Sequence, residues 1–154
     1  MKNSIYATML LGVATSVLAD EQAKLEAMCE IGWTAYHTQD ISLIAPLWRD
    51  YLPDDWPEER KAETTELFLA DRAVIFERAR QSHGDISYQL AQVRFYDTDE
   101  IPKVYSQHNA KRYATLSYEA HSINNPLSRS SPSCTFFDYD GDGNWQINTI
   151  LWTR

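Results

Sequence analysis

The chain has only two cysteines, five glycines and six prolines in 154 residues. That scarcity argues against a disulfide-dense miniature scaffold, a collagen-like repeat or a low-complexity linker protein. Positive charge is short as well: 14 Lys and Arg stand against 22 Asp and Glu, a net charge of −8. Such a surface repels phosphate backbones and anionic lipids, so nucleic acid is disfavoured and a small-molecule ligand or a cationic protein is the expected partner. No HExxH, GxSxG, SxxK or Gly-rich phosphate loop occurs, which places a non-catalytic role ahead of an enzymatic one. Internal repeats are absent, and past the amino terminus no apolar run is long enough to span a bilayer.

The amino terminus is the exception. Lys2 supplies a positive charge, Ile5 to Val17 is apolar but for Thr8, Gly12, Thr15 and Ser16, and Val17-Leu18-Ala19 offers a peptidase site. Residues 1–19 therefore read as a cleavable signal peptide, the run being shorter than the roughly 20 residues a membrane anchor needs. Cutting after Ala19 exposes Asp20 and leaves no adjacent Cys for a lipid. The expected product is soluble, exported to a periplasm or secreted, not a lipoprotein and free of the membrane, with residues 20–154 as one domain. Losing Lys2 with the leader takes the charge from −8 to −9. In an oxidising compartment Cys29 and Cys134 are expected to pair.

Leu25, Met28, Cys29, Gly32, Trp33 and Tyr36 recur at three- and four-residue steps, predicting a helix over 20–38. Asp40 is a candidate N-cap for a second helix over 41–52, with Ile44, Leu47, Trp48 and Tyr51 on its apolar side. A third helix is predicted from Asp54 or Asp55 to Gly84, with Leu67, Phe68, Val74, Ile75 and Ala79 as its stripe. Beyond Gly84 the period becomes alternating. Strands are expected over 86–96 and 104–121, the latter with Ala114, Leu116, Tyr118 and Ala120 on one face. A polar loop over 122–133 comes next, then a hairpin of 134–139 and 145–152. Three helices followed by antiparallel strands predict an α+β domain, the helices packed on a curved sheet of about four strands.

Two segments carry a resemblance. Ala35-Tyr36-His37-Thr38-Gln39-Asp40 running into Ile41-Ser42-Leu43-Ile44-Ala45-Pro46-Leu47-Trp48, and Asp142-Gly143-Asn144-Trp145-Gln146-Ile147, are similar to the opening and close of the NTF2-like (cystatin-like α+β cone) superfamily. The resemblance implies a pocket between sheet and helices, used in different members for catalysis, ligand binding or protein contacts. It also leaves open a homodimer through an outward-facing sheet.

Three constellations bear on chemistry. Asp138, Asp140, Asp142 and Asn144 occupy alternate positions around Gly141 and Gly143. They match the first part of a calcium loop of the EF-hand type, although Thr149 stands where that loop carries Glu, and a polar hairpin turn accounts for the same residues. His37 precedes Asp40 by three residues, a His-Asp pair that in a cone pocket would serve a small lyase or isomerase, or simply end a helix beside an N-cap. Arg94, Glu119 and His121 sit on predicted strands, where cavity lining and solvent-facing alternation account for them equally well. Trp33, Tyr36, Trp48, Trp56, Tyr118 and Trp145 are the candidate ligand or partner contacts in an aromatic-rich chain. The expected function is an exported, non-catalytic binding domain for a small apolar or aromatic ligand. The alternative is a periplasmic inhibitor or immunity protein that meets a cationic enzyme through the acidic cluster Asp54, Asp55, Glu58 and Glu59 around Trp56.

Overall fold

The computed structural model describes residues 5–49, 52–103, 105 and 108–152, with backbone alone for 5–16, 49 and 152. Lys2, Tyr51 and Val104, each part of a sequence-based expectation, lie outside the described residues. Helix α1 runs from Ile5 to Thr38, through the predicted leader boundary without a break. Its inward face is the one the periodicity marks: Leu25, Cys29, Gly32, Trp33 and Tyr36 are buried. Ala35 joins them. Gly32 is required by close approach, since a Cβ there would collide with Ile150 Cγ2 and meet Leu151 Cγ at 3.3 Å.

Asp40 does act as an N-cap, accepting a hydrogen bond from the Ser42 N–H at 3.1 Å. The capped element is a 3-10 turn, Ile41–Ile44, leading into the short helix α2, Ala45–Arg49, rather than one helix over 41–52. The long helix α3 spans Glu58–His83 and begins later than predicted, because Asp54 and Asp55 lie in a turn and Pro57 takes the N-cap position. Glu58 and Glu59 then complement the positive end of the helix dipole. Gly84, at φ 64°, ends it as expected. The predicted stripe needs correction: Leu67 and Val74 are 67% and 49% exposed, and Phe76 and Thr65 are buried instead. Arg80 extends from α3 to the carbonyls of Tyr36 and His37 at 3.2 and 3.3 Å, placing a cation at the negative end of α1.

The strands are β1 (Ile86–Asp97), β2 (Arg112–Ser122), β3 (Arg129–Ser130), β4 (Ser133–Asp138) and β5 (Trp145–Trp152). All pairings are antiparallel, in the order β1-β2-β4-β5, with the two-residue β3 also on β2. This is the α+β architecture read from the sequence. The second strand starts at Arg112 rather than 104, the preceding described residues forming turns. The polar loop over 122–133 is tied down, Ser122 N–H donating to the Ser128 carbonyl and Ile123 N–H to that of Asp85.

Alternation sorts the sheet into two faces. Ala114, Leu116, Tyr118 and Ala120 of β2 share one with Cys134 and Phe136 of β4 and Ile147 of β5, all at most 5% exposed. This face packs on α1, and the Cys29–Cys134 disulfide, closing 105 residues, joins helix to sheet at its centre. The other face holds Tyr113 and Phe137, which with Ala110 make a separate small cluster flanked by Tyr96, Ile101 and Tyr105.

Candidate ligand sites

Among the described residues, a cavity between helices and sheet is associated with each face of the sheet. The first has a volume of about 300 Å³. Trp33 and Tyr36 from α1, Ile75, Phe76 and Ala79 from α3, and Ile86 from β1 form its apolar walls, while Arg78, Ser82, His83 and Ser130 bring polar groups to its edge. The walls are held by packing that the helical period dictates. Trp33 stacks on Tyr88 at 4.1 Å between centroids and meets Tyr118 edge-on at 5.5 Å. Tyr36 packs edge-on against Phe76 at 5.8 Å, and its hydroxyl donates to the Gly84 carbonyl at 3.0 Å. Burial raises the Tyr36 phenol above its ordinary pKa. The Trp33 indole N–H is buried without an acceptor among the described residues.

The second cavity is larger, about 790 Å³, and its lining differs in kind. Thr115, Ser117, Ser133, Thr135, Asn148 and Thr149 supply hydroxyls and an amide from the second face of the sheet. Trp48 from α2, Phe68 and Arg72 from α3, and the ring pair Tyr105 and Tyr113 complete it. Trp48 and Phe68 stack in parallel, 4.0 Å apart at 3°. Tyr105 and Tyr113 stack at 4.7 Å.

The residues singled out by sequence divide accordingly. Trp33 and Tyr36 line the first cavity and Trp48 the second. Tyr118 and Trp145 belong to the core. Trp56 is half-buried beneath the Arg60 guanidinium, 3.7 Å from its ring centre, so it does not stand as a bare aromatic anchor in the acidic cluster. His37 and Asp40 are both exposed, the Asp40 carboxylate accepting from the Ser42 N–H and hydroxyl, while the His37 ring lies beside Trp33 and Tyr88. Arg94 and Glu119 are exposed, and His121 sits 4.0 Å from Glu119. Phe76, Arg72 and the hydroxyl rows were not singled out by sequence, and Phe68 was marked only as part of the α3 stripe.

The Asp138 to Asn144 segment is a turn in which the Asp138 and Asp140 carboxylates accept hydrogen bonds from within the turn. Asp138 is fully buried and accepts from the Gly141 and Gly143 N–H groups at 2.8 and 3.0 Å. Gly141 and Gly143 sit at φ 84° and 82°, the left-handed region that explains both glycines. Asp140 accepts from the Asn144 amide and the Asp142 N–H, which hold its pKa down at about 2. Lys24 donates to the Gly143 carbonyl and Lys111 to that of Asp140. Among the described residues, no group of three or more His, Cys, Asp or Glu is arranged to hold a metal ion.

No protein-family model, curated protein or solved structure matches this chain, so geometry carries its functional reading.

Proposed function

We propose that this chain is an exported, non-catalytic domain that holds a small apolar or aromatic ligand in the cavity between α1, α3 and the sheet. The observation that carries the reading is the Trp33 wall of that cavity, where apolar rings surround a space of about 300 Å³ and a buried indole N–H has no acceptor among the described residues. Ligand sites are mostly apolar with a few polar groups fixing orientation, and this volume stands at the small end of their range.

Export is supported by the way α1 is used. Val17 and Leu18 are 52% and 48% exposed, while past Ala19 the helix engages the sheet, with Glu21 on Arg112 and Leu25 buried. The disulfide is compatible with an oxidising compartment. Among the described residues, no helix is long and apolar enough to cross a membrane.

The test uses anilinonaphthalene sulfonate, an aromatic probe with acceptor oxygens, titrated into the 20–154 protein with fluorescence and native mass spectrometry as readouts. Saturable one-to-one binding to the native protein is expected. Ala79→Phe, which fills the cavity from α3, should abolish it while preserving the cooperative melt. Absence of binding to the wild type, or equal binding to the filled variant, would remove the proposal.

A further inference from the structure

We infer that the second cavity is a saccharide site, distinct from the apolar one and built on the opposite face of the sheet. Strand register assembles it. Thr115 of β2 pairs with Thr135 of β4, which pairs with Thr149 of β5, and Ser117 pairs with Ser133 one step along the same face. Adjacent strands lie about 4.8 Å apart, and successive same-face residues about 6.7 Å apart. The hydroxyls therefore form a two-dimensional grid whose spacing suits non-vicinal oxygens across a six-membered sugar ring.

Each Ser or Thr hydroxyl both donates and accepts, as a sugar hydroxyl does. Either orientation of a shared hydrogen bond is then available, and the saccharide replaces waters that make the same bonds. Asn148 adds an amide at the end of the Thr row, its Nδ2 donating to the hydroxyls of Thr135 and Thr149 at 3.3 and 3.2 Å. Flat carbon surfaces complete the lining, Trp48 and Phe68 from the helices and, beside the grid on β2, Tyr113 with Tyr105 stacked on it, matching the apolar C–H face that a pyranose ring presents opposite its hydroxyls.

Charge narrows the class further. In a chain of net charge −8, the described lining of this cavity contains no carboxylate and one cation, Arg72. Arg72 is held by Asp71 at 2.8 Å and lies over the Phe68 ring, which fixes its guanidinium in the lining. Neutral sugars and uronic acids are both admitted by that lining, whereas polycations are not. The volume of about 790 Å³ accommodates a ligand larger than the first cavity does.

The experiment is amide-resolved NMR on the disulfide-bonded 20–154 protein, titrated separately with maltose, cellobiose, lactose, diacetylchitobiose and digalacturonate. At least one sugar should give saturable shifts centred on Thr115, Ser117, Ser133, Thr135 and Asn148. Ser117→Ala with Ser133→Ala should keep the wild-type melting temperature and weaken that sugar by about tenfold or more, the loss of one or two hydrogen bonds. Ser117→Phe, which obstructs the cleft, should eliminate it. Ala79→Phe should leave sugar binding intact, which separates this site from the apolar cavity. If no sugar shifts the grid, or the shifts centre on Ile86 and Ala79, or the double alanine variant binds as well as wild type, the assignment is overturned.

Discussion

The two faces of the sheet are made by the same strands from alternate residues, yet they solve opposite problems. On one, Leu116, Cys134, Phe136 and Ile147 pack against α1 and exclude water. On the other, Thr115, Ser117, Ser133 and Thr135 stand beneath a cleft, and apolar packing is confined to the small Tyr113 and Phe137 cluster at one end. Stability is therefore concentrated on the α1 face, and the opposite face has freedom to be shaped for a ligand. The covalent link strengthens the asymmetry, because Cys134 belongs to the dry side.

The largest expected effect comes from cutting that link. Closing a loop of about 100 residues restricts the unfolded chain by roughly 4–5 kcal/mol on the chain-entropy model. The double variant Cys29→Ser with Cys134→Ser should lose most of this, measured by urea denaturation against the oxidised wild type. A loss below about 1 kcal/mol would mean that α1 is held on the sheet by packing alone.

A sharper comparison lies within one strand. Phe136 and Thr135 are sequence neighbours on opposite faces, and both are nearly inaccessible to solvent. Phe136→Ala should cost about 3–5 kcal/mol, because a large ring is removed from the interior beside the disulfide. Thr135→Val should cost about 1 kcal/mol, the worth of the hydrogen bond its hydroxyl accepts from Asn148. Equal losses at the two positions would show that the hydroxyl face supports the fold as much as the apolar face does.

This asymmetry also explains what could be read from sequence. Ala114, Leu116, Tyr118 and Ala120 alternate with polar residues, so their common face was legible, as were Gly84, the Asp40 cap and the pairing of two cysteines in a 154-residue chain. The hydroxyl grid was not. Ser and Thr on alternate strand positions are also what a solvated face shows, and only register between strands distant in sequence gathers them into one lining. Helix α3 misled for a related reason. It carries apolar side chains on more than one side, and the choice of Phe76 over Val74 is made by Tyr36, which belongs to another helix. The resemblance to a cone-shaped superfamily implied a pocket between helices and sheet; it gave no reason to expect cavities of opposite chemistry.

The smallest effect concerns the seam where α1 meets the Asp138 turn. Glu21 receives both Arg112 amino groups at 2.7 Å, and the Arg112 guanidinium, against some opposing burial, holds the Glu21 carboxyl below the usual range. Arg112 also lies 3.5 Å from the buried Asp138 and over the Trp145 ring. A carboxyl with a depressed folded pKa contributes stability above its unfolded value, about 4.3 for Glu, and loses it as pH falls through the folded value. Glu21→Gln should therefore cost about 1 kcal/mol at pH 7 and flatten the acid limb of the stability curve below about pH 4.3. Asp140, whose pKa is likewise held down at about 2, adds its own loss below about pH 3.9, but this is common to wild type and Glu21→Gln and drops out of the comparison. If wild type and Glu21→Gln lose stability in parallel between about pH 5 and 3, the ion pair does not hold the Glu21 segment of α1 to the sheet, and the dry face owes its closure to Leu25 and the disulfide.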